Sequence, residues 1–161
     1  MNRTCIVVAD AKQARFFSVD ASDVPRRPLN LAEGTVLFNP DVEAVRGDGA
    51  GRIKTERISN RQAGPAHPVD ARREHHRLEL VRRFGREVAS QVGKITGTWS
   101  SGTVILIAAP RLLGLMRDTV RDALHQGIQL KELAKDYTHL SAREIHEHLA
   151  EGRLIPLQQR S

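Results

Sequence analysis

The run Thr103-Val104-Ile105-Leu106-Ile107-Ala108-Ala109 passes directly into Pro110-Arg111-Leu112-Leu113-Gly114-Leu115-Met116-Arg117. It is too short for a helix and too unbroken in its apolarity for a half-exposed strand, so it reads as a central parallel strand. Pro110 fits the first helical position, where its missing N–H costs nothing. A buried strand that feeds straight into a helix is the junction at which open α/β sheets place their ligands.

The rest of the chain is consistent with one sheet. Thr4 to Ala9 and Ala14 to Val19 are apolar, β-branched and aromatic runs separated by Asp10-Ala11-Lys12-Gln13, the spacing of a hairpin. After a polar turn from Asp23 to Pro28, Leu29 to Phe38 reads as a third strand, with Gly34 marking a bulge or bend. Beyond Asp70, the apolar positions Leu78, Val81, Phe84, Val88, Val92 and Ile95 recur at steps of three and four, which predicts a long helix packed on one face. Gly97 to Gly102 ends it. The second half alternates: strand Thr103 to Ala109, helix Pro110 to His125, strand Ile128 to Lys135, helix Ala142 to Glu151. Ser141 and Glu144 have the spacing of a capping box at the last helix. The fold class is α/β, a mixed five-stranded sheet in which an antiparallel meander is joined to parallel strands and covered by helices.

The 161 residues, 40% of them apolar, make a single domain with a core of ordinary size. A net charge of +6 and a pI near 10.2 favour acidic partners such as nucleic acid. Cys5 is the only cysteine and lies in an apolar run, which excludes a disulfide framework and a cysteine-based zinc site. The N-terminal pattern is not that of a secretory signal and no apolar run has membrane length, so the expected location is cytoplasmic, without a membrane partner.

Three separated motifs carry a family resemblance: Val8-Ala9-Asp10-Ala11-Lys12-Gln13-Ala14-Arg15-Phe16-Phe17, Ala109-Pro110-Arg111 through Arg117, and Lys135-Asp136-Tyr137-Thr138-His139-Leu140-Ser141. In this order the chain resembles, over nearly its whole length, the bacterial family named host attachment protein. That family in turn resembles the central domain of archaeo-eukaryotic peptide-chain release factors, which implies an RNase H-like fold. It further implies a first strand at the centre of the sheet, with the meander on one side and the two later strands on the other. The C-terminal strand ends then gather Asp10, the Gly-rich loop, Pro110-Arg111 and Asp136 to His139 along one edge.

The resemblance does not carry peptide release with it. Release factors use a Gly-Gly-Gln tip, whereas here Gln62 follows Asn60-Arg61, and Gly47-Asp48-Gly49-Ala50-Gly51 lacks a glutamine. The loop spanning about 39–68 nonetheless has the composition of an RNA-contacting segment. Arg46, Arg52, Lys54, Arg57 and Arg61 can pair with phosphates, and the glycines allow close backbone approach. A solvated mobile loop is the competing reading, and no aromatic residue is there to stack on bases. Arg72, Arg73 and Arg77 extend the basic character onto the long helix. From Arg82 onward, Glu79–Arg83 and Arg83–Glu87 at four-residue spacing read as an ordinary charged face.

For Asp10, Arg111, Asp136 and His139 at the strand-end edge, two readings stand side by side. One is a small anionic-ligand or nucleotide site. The other is an Asp–Arg pair with turn-capping hydrogen bonds. Catalytic constellations are missing: the fourth strand ends without the carboxylate that two-metal nuclease chemistry needs, and there is no Gly-x-Ser-x-Gly elbow. His75-His76 and His146-x-His148 lack the spacing of a zinc motif, so neither metal nor cofactor is called for. The expectation is a non-catalytic module that associates with RNA or the ribosome. The first alternative is an interaction or regulatory protein, with a protein partner, that serves attachment indirectly. The second is a site for a phosphorylated small molecule.

Overall fold

The computed structural model describes residues 3–20, 31–41 and 68–152. The candidate residues Arg46, Arg52, Lys54, Arg57 and Arg61, and the turn from Asp23 to Pro28, lie outside them.

Strands β1 (Arg3–Ala9), β2 (Gln13–Asp20) and β3 (Ala32–Phe38) precede helix α1 (Pro68–Thr96); β4 (Gly102–Ala108), α2 (Pro110–Asp122), β5 (Ile128–Ala134) and α3 (Ala142–Glu151) follow. The sheet order is β3-β2-β1-β4-β5. β1 pairs antiparallel with β2 and parallel with β4, and β5 lies parallel to β4. This is the mixed α/β sheet expected from the sequence, with the first strand at the centre.

β1 is central because all of Cys5 to Ala9 is apolar and can be buried on both faces. Alternation then divides its side chains. Cys5, Val7 and Ala9 join Val104, Leu106, Phe84, Val88, Val92 and Met116 under α1 and α2. Ile6 and Val8 join Ile105, Ile107, Phe17, Ile145 and Leu149 beneath α3. Helices thus cover both faces of the sheet. Burial pushes the Cys5 thiol up to about 12, which leaves it a small core hydrophobe rather than a thiolate.

Small residues let α2 lie close on α1. A Cβ at Gly85 would meet Met116 Cγ at 3.4 Å, and one at Gly93 would meet the Ala123 carbonyl at 3.5 Å.

The bend expected at Gly34 is a slip of register: Arg15 pairs with Val36 but Phe17 with Glu33, so Gly34 and Thr35 together face Phe16. At α3 the capping box is present. Ser141 Oγ accepts from the Glu144 N–H, and Glu144 Oε1 accepts from the Ser141 N–H, each at 3.2 Å. Some boundaries move. α2 stops at Asp122 rather than His125, because Ala123 and Leu124 turn their N–H groups to carbonyls three residues back. Ala109 belongs not to β4 but to the cap of α2. On α1, Glu79 pairs with Arg82 at 2.6 Å, not with Arg83, which instead lies 4.0 Å from Asp41. Three-residue spacing sets the first pair, and the fold brings Asp41 to the second.

Candidate functional site

The parallel register aligns Ala9, Ala108 and Ala134, so β1, β4 and β5 end at one edge of the sheet. β3 ends there too, since Phe38 pairs with Gln13 at the start of β2. Beneath this edge α1 and α2 bound a cleft of about 220 Å³. Ala9, Ala11, Leu78, Val81, Leu112 and Leu115 form its apolar walls. Asp10, Arg77, Arg111 and Asp136 add charged groups. Of the four residues singled out from the sequence at this edge, the structure therefore brings three around one space. His139 does not line it; this imidazole is 76% exposed, with Nε2 3.5 Å from Asp136 Oδ2.

Asp10 shapes the β1–β2 turn. Its Oδ1 accepts from the N–H groups of Lys12 at 2.7 Å and Gln13 at 2.8 Å, while its own N–H donates to the Gln13 carbonyl. Asn39, just after β3, holds the same turn from the other side. It is buried, its Nδ2 donates to the Ala11 carbonyl at 2.9 Å, and its backbone N–H donates to the Lys12 carbonyl at 2.8 Å. Nothing in the local spacing around Asn39 signals this role, because its partners lie more than twenty residues back.

Arg111 opens α2 but does not pair with an aspartate, as the turn-capping reading expected. Its Nη2 lies 2.7 Å from Glu74 Oε1, which also meets Arg77 Nη2 at 2.8 Å. Glu74 comes from α1, where it faces Arg77 at a spacing of three; that spacing was the available signal. The Arg77 guanidinium first, and Arg111 second, hold the Glu74 carboxyl below the usual carboxylate range. The N-terminus of α2 has Ala109 as its cap without a side-chain hydrogen bond, Pro110 as its first residue and no acidic residue in its first turn. The Arg111 and Leu112 N–H groups therefore point out of the helix toward the edge with the positive end of its dipole.

The segment after β5 is fastened by two devices. Asp136 Oδ1 accepts from Thr138 Oγ1 at 2.7 Å and from the Thr138 N–H at 3.2 Å, and these bonds, led by the hydroxyl, hold its carboxyl below the usual range. Arg15 on β2 reaches across, donating from Nη1 to the carbonyls of Leu140 at 2.6 Å and Thr138 at 3.2 Å. Its Nε meets Glu33 at 2.8 Å, and its guanidinium sits 5.0 Å from the Phe17 ring centroid. The sequence does not mark Arg15 as a site residue, because an arginine inside a strand is a weak signal until its distant partners are known.

The edge is rich in cations. Lys12, Arg111 and Lys135 are exposed along it, and Arg72 and Arg73 are exposed on α1 about one turn before Arg77. Arg77 itself is half-buried and tied to Glu74. Among the described residues no group of three or more His, Cys, Asp or Glu side chains gathers in a way that could hold a metal ion. No helix among them is long and apolar enough to cross a membrane.

Among solved structures the chain is similar to the Aquifex aeolicus Ppx/GppA phosphatase, type II variant, at 8% identity and a TM-score of 0.31. The alignment covers 82% of this chain and 36% of that one, a likeness too slight to bear on function. No curated protein matches the chain. The family described as "Protein required for attachment to host cells" matches residues 5–149, nearly the whole chain, and the chain belongs to that family.

Proposed function

We propose that the chain is a non-catalytic module that binds RNA, free or in the ribosome, along the C-terminal edge of its sheet, and that its part in attachment runs through that binding. The observation that supports this reading is the set of exposed cations Lys12, Arg111 and Lys135 at the edge, with Arg72 and Arg73 exposed on the first turns of α1. Arg46, Arg52, Lys54, Arg57 and Arg61 precede α1 in the sequence. Cations along an edge neutralise successive phosphates and release their counterions, which requires no base-specific contact.

Sedimentation of ribosomes from a lysate of the producing cells, at low and at high salt, tests the reading. The protein travels with ribosomes at low salt and leaves them at high salt, and the quadruple change of Arg52, Lys54, Arg57 and Arg61 to Ala abolishes the association. Association with another protein that is insensitive to salt and survives the quadruple change would overturn the RNA reading in favour of a protein-binding regulator.

A further inference from the structure

We infer that the cleft between α1 and α2 is a binding site for one nucleoside monophosphate, with the base between the aliphatic walls and the phosphate on Arg111. The inference shares an edge with the RNA reading but does not depend on it, since a free mononucleotide suffices.

Size, apolar lining and one well-exposed arginine favour this ligand. At about 220 Å³ the cleft is smaller than the roughly 300–1,000 Å³ of drug-sized sites, so it takes one ring system and not a dinucleotide. Leu78 and Val81 come from α1 and Leu112 and Leu115 from α2, giving a slot lined with aliphatic side chains from both helices, against which an apolar ring surface can pack. The anionic end is set by α2, whose first turn has no side-chain cap and whose Arg111 lines the cleft. Acceptors for sugar hydroxyls are also in place. Asp10 uses Oδ1 for both turn N–H groups, which leaves the acceptor capacity of Oδ2, and Asp136 also lines the cleft.

Glu74 makes the inference unusually testable. Its carboxylate occupies the guanidinium that the phosphate would use, 2.7 Å from Arg111, so it competes with the ligand. A purely structural cleft has no reason to respond to its removal.

AMP, GMP, CMP and UMP are titrated into the full chain by calorimetry and in thermal unfolding, with adenosine and inorganic phosphate as separate arms. At least one monophosphate raises Tm by several degrees at saturation, while adenosine and phosphate alone bind much more weakly. Arg111→Ala, at an exposed position, weakens that binding about tenfold or more. Glu74→Gln tightens it severalfold. Leu115→Trp, which fills the slot, abolishes binding while circular dichroism shows the fold retained; should that variant unfold, the Arg111 and Glu74 pair decides. No response to any of the four nucleotides overturns the inference, as does binding that is unchanged in both Arg111→Ala and Glu74→Gln. The quadruple change of Arg52, Lys54, Arg57 and Arg61 removes RNA binding and leaves AMP binding in place. RNA binding that persists in a protein without nucleotide binding overturns this inference alone.

Discussion

Glu74 on α1 and Arg111 on α2 meet at 2.7 Å beside the cleft, although they are 37 residues apart in the chain. Both side chains are well exposed, at 43% and 69%. Solvent screens such a pair and side-chain entropy opposes it, so its worth to stability is below about 1 kcal/mol. Arg111→Ala therefore leaves the urea midpoint almost unchanged. A loss above roughly 2 kcal/mol would mark Arg111 as a structural clamp rather than a cation held ready for a ligand.

Arg15 contrasts with Arg111. Its side chain is only 14% exposed, and it donates to two carbonyls of the segment after β5 as well as to Glu33. Arg15→Ala strands two part-buried carbonyls and costs on the order of 2 kcal/mol. Arg15→Lys restores only part of that, because an ammonium cannot reproduce the planar fork. Equilibrium urea unfolding of the two variants checks both statements, and equal stability in both would contradict them.

Asp10 serves the turn through acceptors, not through its charge. Asp10→Ala lowers stability by about 1 kcal/mol, whereas Asp10→Asn keeps an oxygen for the Lys12 and Gln13 N–H groups and loses less. The comparison is made by denaturant unfolding, and a larger loss in the Asn variant would show that charge matters more than the turn bonds.

Acid weakens the fold in a defined direction. Glu33 and Glu74 are held below their ordinary value of 4.5, chiefly by Arg15 and Arg77, and Asp136 below 3.8, chiefly by Thr138. A carboxyl whose folded pKa is depressed binds protons more readily once unfolded. Its contribution is complete above the unfolded value and is lost as pH falls through the folded one. Unfolding free energy measured from about pH 6 down to about pH 3 thus declines below about pH 4.5, and Glu33→Gln makes the decline shallower. A flat profile would contradict the Arg15–Glu33 arrangement.

Much of the fold could be read from the sequence because it rests on local patterns. The alternation and unbroken apolarity of β1 and β4, the stripe from Leu78 to Ile95, and the Ser141–Glu144 box each act over a few residues. Asp10, Arg111 and Asp136 can be placed at one edge from the sheet order that the family resemblance implies, since the C-terminal ends of parallel strands then coincide. Their partners could not. Glu74 reaches Arg111, Asn39 reaches Ala11 and Arg15 reaches Leu140 only through tertiary contact, and polar partners carry no periodicity that announces them. His139 follows Asp136 closely in the sequence, but beyond the Asp136–Thr138 turn its side chain stands in solvent.

RNA affinity measured against salt is the decisive experiment for the proposed polyanion site along the C-terminal edge of the sheet. Fluorescence anisotropy of a labelled single-stranded RNA is followed across a salt series for the native chain. The same series is run for a variant with Lys12, Arg72, Arg73 and Lys135 changed to Ala, and for Lys94→Ala at the far end of α1. Affinity of the native chain falls steeply with salt, with a slope of about −0.7 per phosphate neutralised. The edge variant binds more weakly and with a shallower slope, and Lys94→Ala matches the native chain. Binding that is independent of salt, or equal in the edge variant and the native chain, would contradict the account.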